Sequence, residues 1–168
     1  MNGTRSQMYV RNIVFGVSDS LVSTVGLLSG IDVNGTARHT IIITGIVYAF
    51  VESFSMAVGS FLSESSAEDF AARRDVPIGR PFVGGIVMFV SFILASFVPI
   101  APYLLVDTGM ALWASIGLSV AALFVVGYAS ARMSKTHMLR HGLRMALLGG
   151  IAIVVGIVVG KVVDGNQV

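Results

Sequence analysis

Residues 12–30 read N-I-V-F-G-V-S-D-S-L-V-S-T-V-G-L-L-S-G, and this stretch decides the fold. It is long and apolar enough for one bilayer span, which takes about 20 residues. Asp19 lies inside it, roughly 10 Å past Asn12 at ~1.5 Å per residue. A carboxylate at that depth costs about 2.5–3.5 kcal/mol on insertion scales, so it needs compensation inside a protein bundle or a wet cavity. The run is long for the core of a signal peptide, carries Asp19 and lacks a small-x-small cleavage site, so it reads as a retained span.

The rest of the 168 residues agrees, with 55% hydrophobic and only 12% charged side chains. A water-soluble chain of this size needs more charge than that to cover its surface. The net charge is +2, but the basic residues stand at the ends of apolar runs and do not cluster with aromatics, which argues against a nucleic-acid partner. There is no cysteine, so disulfides, thiolate metal sites and cysteine nucleophiles are excluded. Nor is there a nucleophile elbow or an H-E-x-x-H arrangement, and an enzyme is not expected.

Four more apolar runs follow, at about 39–63, 82–105, 110–131 and 145–163. The expected fold is an all-α membrane protein with five transmembrane helices forming one transporter domain over residues 1–168. A tight turn is expected at Asn34-Gly35 and another at Asp107-Thr108-Gly109. Pro99 and Pro102 should bend the third span. Arg5, Arg11, Arg73, Arg74, Arg80, Arg132, Lys135, Arg140 and Arg144 fall on the N-terminal side of the membrane, and only Arg38 and Lys161 on the other. The positive-inside rule then makes the N-terminus cytoplasmic and the C-terminus external or lumenal.

The second span carries its own acid, Glu52, followed at steps of four by Met56, Ser60, Glu64 and Glu68. Such residues form a polar strip that drifts slowly round the helix. Counting from the span ends puts Glu52 about 10 Å from the cytoplasmic face, level with Asp19 on the antiparallel first span. No lysine or arginine lies at that depth. Two readings remain open on the residues alone. One is a cation pathway in which carboxylates and a thioether suit a borderline ion such as Fe²⁺ or Mn²⁺ better than Ca²⁺ or Mg²⁺. The other is protonated acids hydrogen-bonded to Ser18, Ser23 or Ser53, with Met56 filling core.

Residues 9–30, Y-V-R-N-I-V-F-G-V-S-D-S-L-V-S-T-V-G-L-L-S-G, resemble the opening of the vacuolar iron transporter family. F-S-M-A-V-G-S-F-L-S at 54–63, the proline-containing run at 81–105 and H-G-L-R-M-A-L-L-G-G at 141–150 look like its later motifs, in the same order. The resemblance implies a multi-pass, homodimeric membrane protein that exports Fe²⁺ or Mn²⁺ from the cytoplasm in exchange for protons. It would sit in the plasma membrane of a prokaryote or an organellar membrane of a eukaryote. No cofactor is implied, since the metal is cargo. It also implies Asp19 and Met56 as metal ligands; Glu52, one turn from where the family carries its second-span acid, is the candidate read from the residues themselves for a further ligand or the proton carrier. The chain departs from the family at Asn12, where aspartate is common, at Ser20, where glycine is, and at Tyr48, near which members carry an acid. Residues 64–80 are too short for the cytoplasmic metal-binding domain many members have, so the resemblance is to a short form. The rival reading is a non-transporting membrane scaffold that keeps the fold.

Weaker signals lie outside the spans. Glu64, Glu68 and Asp69 are expected on a solvated helix end, with Asp69 paired to Arg73, rather than as an acidic mouth. His137 and His141 stand among arginines and read as headgroup contacts rather than metal ligands. Gly26/Gly30 and Gly156/Gly160 are G-x-x-x-G pairs suited to close helix contact, either between subunits or within one bundle.

Overall fold

A computed structural model describes residues 2–106, 108–134 and 136–165. Asp107 of the expected second turn, Lys135 of the basic stretch and both chain ends, Met1 and Val168, lie outside them. The described residues form five helices: α1 (Asn2–Asp32), α2 (Arg38–Ala72), α3 (Gly79–Leu105), α4 (Thr108–Met133) and α5 (Met138–Gly165). Each is long and apolar enough to cross a membrane, and the chain is a multi-pass membrane protein. Large apolar side chains remain exposed along the helices, including Phe50 and Phe54 on α2, Trp113 on α4 and Ile151 and Val155 on α5. Water would not tolerate so continuous an apolar surface, whereas hydrocarbon does.

α1 is central, touching all four other helices, and its contact with α2 is the smallest of the four. α2 leans instead on α3, and α4 on α5. Small residues set the close approaches. Gly26 and Gly30 of α1 face Gly156 and Gly160 of α5, so near that a Cβ on Gly160 would stand 2.0 Å from the Gly30 carbonyl oxygen. The two G-x-x-x-G pairs therefore pack on each other within one chain. Buried hydroxyls tie neighbouring helices, Ser20 donating to the Phe92 carbonyl at 2.7 Å and Ser115 to that of Pro99 at 2.7 Å. Such bonds suit a bundle whose surroundings offer no water.

Three expectations change in detail. α2 does not stop near residue 63 but runs on to Ala72, making it about 52 Å long and longer than the ~30 Å hydrocarbon core. Glu64 is not solvated; it is 7% exposed and bonded to α1. Asp69 spends its carboxylate on the Val76 N–H, at 2.8 Å, while Arg73 takes a left-handed conformation (φ 52°) that ends the helix. This replaces the expected Asp69–Arg73 pair. Pro99 and Pro102 lie inside α3, which stays helical through both. Gly35 has the positive φ, 72°, that the tight turn requires.

The helix ends bearing Arg11, Arg73, Arg74, Arg80, Arg132, Arg140 and Arg144 come together at one end of the bundle. Contacts between successive helices show this: Asn12 meets Ser60 and Phe61 meets Phe82 at this end, Pro99 meets Ser115 towards the other, and Gly127 meets Gly142.

Candidate functional site

The polar residues of α1 and α2 meet along a seam. Its register is antiparallel, with Asn12 bonded to Ser60 and Glu64 at one end and Leu28 lying against Gly45 at the other. Asp19 and Glu52 fall between these pairs, at one level of the seam. Among the described residues no ion pair involves either acid. Both are only half-buried in the single chain. Two carboxylates at one level of a membrane bundle without a counter-ion repel one another, and a proton or a divalent cation relieves that repulsion.

The end of the seam nearest the arginines is held by a polar clasp. Glu64 Oε1 accepts from Arg11 Nη2 at 2.8 Å and from Asn12 Nδ2 at 2.9 Å. Asn12 Nδ2 also stands 3.1 Å from Ser60 Oγ and 3.1 Å from the Gly84 carbonyl oxygen. Gly84 makes room, since a Cβ there would meet Glu64 Oε2 at 2.2 Å. The Glu64 carboxylate thereby joins α2 to α1, and the Asn12 amide carries the join on to α3. One step along α2, Glu68 lies 3.6 Å from Arg80 of α3. The strip of fours thus turns from α1 at Glu52 to α3 at Glu68, as a slow helical drift requires.

Met56 is half-buried and lines an open-sided cavity of about 530 Å³ together with Arg11, Asn12, Phe15, Ser60 and Met88. Asp19 lines a different, smaller one of about 200 Å³, with Phe15, Ser18, Val22 and Met145 among its walls. The ring of Phe15 borders both. So the structure sets Asp19 level with Glu52 and places Met56 one turn away, in a cavity separate from that of Asp19. Met88, buried on α3, was not singled out in the sequence, because a methionine in a continuous apolar helix gives no periodic signal. The Asn12–Glu64 clasp was half-visible, in that Glu64 belongs to the strip of fours. His137 and His141 are both exposed, beside the exposed Arg140 and Arg144.

The sequence profile described as the VIT family matches residues 10–75 and 71–161. The two segments meet at the connection between α2 and α3, which is short in this chain. The chain is 22% identical to the protein named Vacuolar iron transporter 1 of Arabidopsis thaliana, over 92% of this chain and 86% of that one. That alignment runs over 215 positions, more than this chain has, so part of the plant protein has no counterpart here. An uncharacterized protein of Methanocaldococcus jannaschii is 24% identical over 92% of this chain and 90% of its own length.

Proposed function

The chain belongs to the VIT family in its short form, and on that premise we propose that it is a proton-coupled exporter of divalent metal, Fe²⁺ foremost and Mn²⁺ beside it, moving the ion out of the cytoplasm. The observation that carries this is the level pair Asp19 and Glu52, two acids on neighbouring membrane helices with no ion-pair partner among the described residues. A bundle retains so costly a pair where an ion passes. Metal entering the pair displaces the protons that otherwise neutralise it, which couples the two fluxes. Met56, one turn towards the arginines, adds a thioether that suits Fe²⁺ over harder ions.

Orientation and assembly belong to the same proposal. The arginine-rich end is the cytoplasmic one, and Arg38 lies at the outer end. The five helices act as one transport unit, and the unit is a homodimer. Asp19 and Glu52 are half-exposed on the open side of the seam, where lipid tails cannot solvate them, and a second copy covers them. An odd number of helices also gives no pair of equal inverted halves in one chain, so a symmetric pathway comes from two copies.

The test is flux into proteoliposomes of purified protein, comparing Fe²⁺, Mn²⁺, Co²⁺ and Zn²⁺, with a pH-sensitive dye reporting protons. Metal should enter with opposite proton movement, and Asp19→Asn should lose most of it. Wild-type protein that carries no metal under any gradient would leave the scaffold reading in its place.

A further inference from the structure

Charge is unevenly spread over the arginine-rich end of the bundle. Arg73, Arg74 and Arg80 share their segment with Glu64, Glu68, Asp69 and Asp75, which offset them. Residues 1–18 and 108–163 hold no acid, and from them Arg11, Arg132, Arg140 and Arg144 stand at the same end. Arg132, Arg140 and Arg144 are exposed and make no ion pair among the described residues. Arg132, in the last turn of α4, has the carbonyls of that helix end to offset. Arg140 and Arg144, at the start of α5, have no such use. On this side α1, α4 and α5 part around a cavity of about 740 Å³. Arg11, Ser130 and Ser134 supply its polar wall, and Val14, Phe15 and Met145 its apolar one. Ser134 follows the last residue of α4, whereas Met145 comes seven residues into α5, about 10 Å deeper. The cavity thus runs from the headgroup level into the hydrocarbon.

We propose that this cavity seats one anionic phospholipid, its phosphate drawn by Arg11, Arg140 and Arg144 and its acyl chain lying along Val14, Phe15 and Met145. Arg144 adjoins Met145 in the chain, and Arg140 stands one turn nearer the membrane surface on the same face of α5. Arg11 gives Nη2 to Glu64 and is 67% exposed, so guanidinium donors remain for a phosphate oxygen. The occupant follows from the two walls taken together. A free phosphate uses the polar wall and leaves the apolar one bare, whereas a lipid uses both. Phe15 and Met133, at the margin of the cavity, are exposed, which leaves it open sideways to the bilayer, the direction from which a lipid enters. A zwitterionic lipid meets the same apolar wall, but its ammonium group finds no acid on these three helices near that end. An anionic headgroup gains from every arginine there. The lipid would fill the gap where α1 parts from α4 and α5, and its binding stands apart from the export reading.

The experiment is native mass spectrometry of the purified full chain in detergent, mixed with equal amounts of dioleoyl phosphatidylglycerol and dioleoyl phosphatidylcholine. Wild type should retain one phosphatidylglycerol per chain in preference to phosphatidylcholine. Arg140→Gln combined with Arg144→Gln changes only exposed side chains and should lower that preference about 30-fold, the worth of two basic residues beside an anionic lipid. Arg73→Gln combined with Arg74→Gln removes the same charge on the α2–α3 side and should leave the preference unchanged. Ser134→Trp, also at an exposed position, keeps every charge but fills the polar wall, and should release the lipid. Equal retention of the two lipids by wild type overturns the proposal. So does an equal loss in the two arginine pairs, or full retention in Ser134→Trp, since either reduces the site to diffuse surface attraction. Displacement of phosphatidylglycerol by inorganic phosphate would assign the polar wall to a free anion and overturn it as well. None of these readouts involves metal, so the lipid site and the export reading fail separately.

Discussion

Adding one methyl group at Gly160 should destabilise the protein by separating α1 from α5. The new Cβ would lie 2.0 Å from the Gly30 carbonyl oxygen, 2.8 Å from its carbon and 2.9 Å from its Cα. These are backbone atoms, so no side chain can swing aside. Reaching ordinary contact requires the helices to part by about 1.4 Å, which forfeits dispersion along the whole crossing. Overpacking of this kind costs about 1–3 kcal/mol. The helix gains about 1 kcal/mol from replacing glycine with alanine, and that gain must be removed by a control. Gly150 provides it, on the same helix with nothing within 4 Å of its Cβ position. Thermal unfolding in detergent, followed by circular dichroism, should place Gly160→Ala below Gly150→Ala. At ~2–4 °C per kcal/mol for a chain of this size, the gap is about 2–12 °C. Equal midpoints for the two variants would refute the intramolecular crossing and return the glycine pairs to a subunit interface.

Two further outcomes follow from the seam and the charge distribution. In a chain with no native cysteine, Arg73→Cys and Arg140→Cys should be labelled from the cytoplasmic side and Ala37→Cys from the opposite side; labelling of Ala37→Cys and Arg73→Cys from the same side would overturn the orientation. Glu52→Gln keeps the shape and removes the titratable group, so metal flux through the remaining ligands should carry fewer protons per ion, and an unchanged ratio would assign the coupling proton elsewhere.

The five helices were legible because each is a continuous apolar run bounded by arginines or turn residues, and a bilayer leaves few other uses for such runs. The level match of Asp19 with Glu52 was legible too, since it needs only helix rise and an antiparallel connection. What stayed hidden depends on partners. Glu64 looks solvated in a segment full of charge, yet Arg11, Asn12 and the space above Gly84 bury it. The end of α2 was misplaced for the same reason, as polar residues there continue the helix instead of ending it. Met88 becomes visible only once Gly16 is known to stand opposite. The glycine pairs announced close packing without naming the partner, which is a property of two helices and not of either sequence.

The seam differs between its two ends in a way that bears on how export would proceed. Both ends join α1, α2 and α3. Near the arginines the join is polar, through Asn12, Glu64 and Gly84, and a cavity of about 530 Å³ lies beside it. At the other end the Tyr103 hydroxyl donates to Asp32 at 3.0 Å, and Arg38 donates to the Tyr103 carbonyl at 2.5 Å. Behind these bonds Leu28, Ile41, Ala49 and Ile100 pack into a buried apolar layer with Tyr103. Gly45 lets the side chains of Leu28 and Ile100 close over α2. An ion resting between Asp19 and Glu52 thus has open space behind it and a close-packed layer ahead. Packed layers of this kind switch between discrete arrangements rather than stretch. On the proposed reading, Leu28 must therefore part from Ile41 and Ile100 before metal leaves, and that movement, with the Asp32–Tyr103 bond broken as it occurs, is the step that separates binding from export.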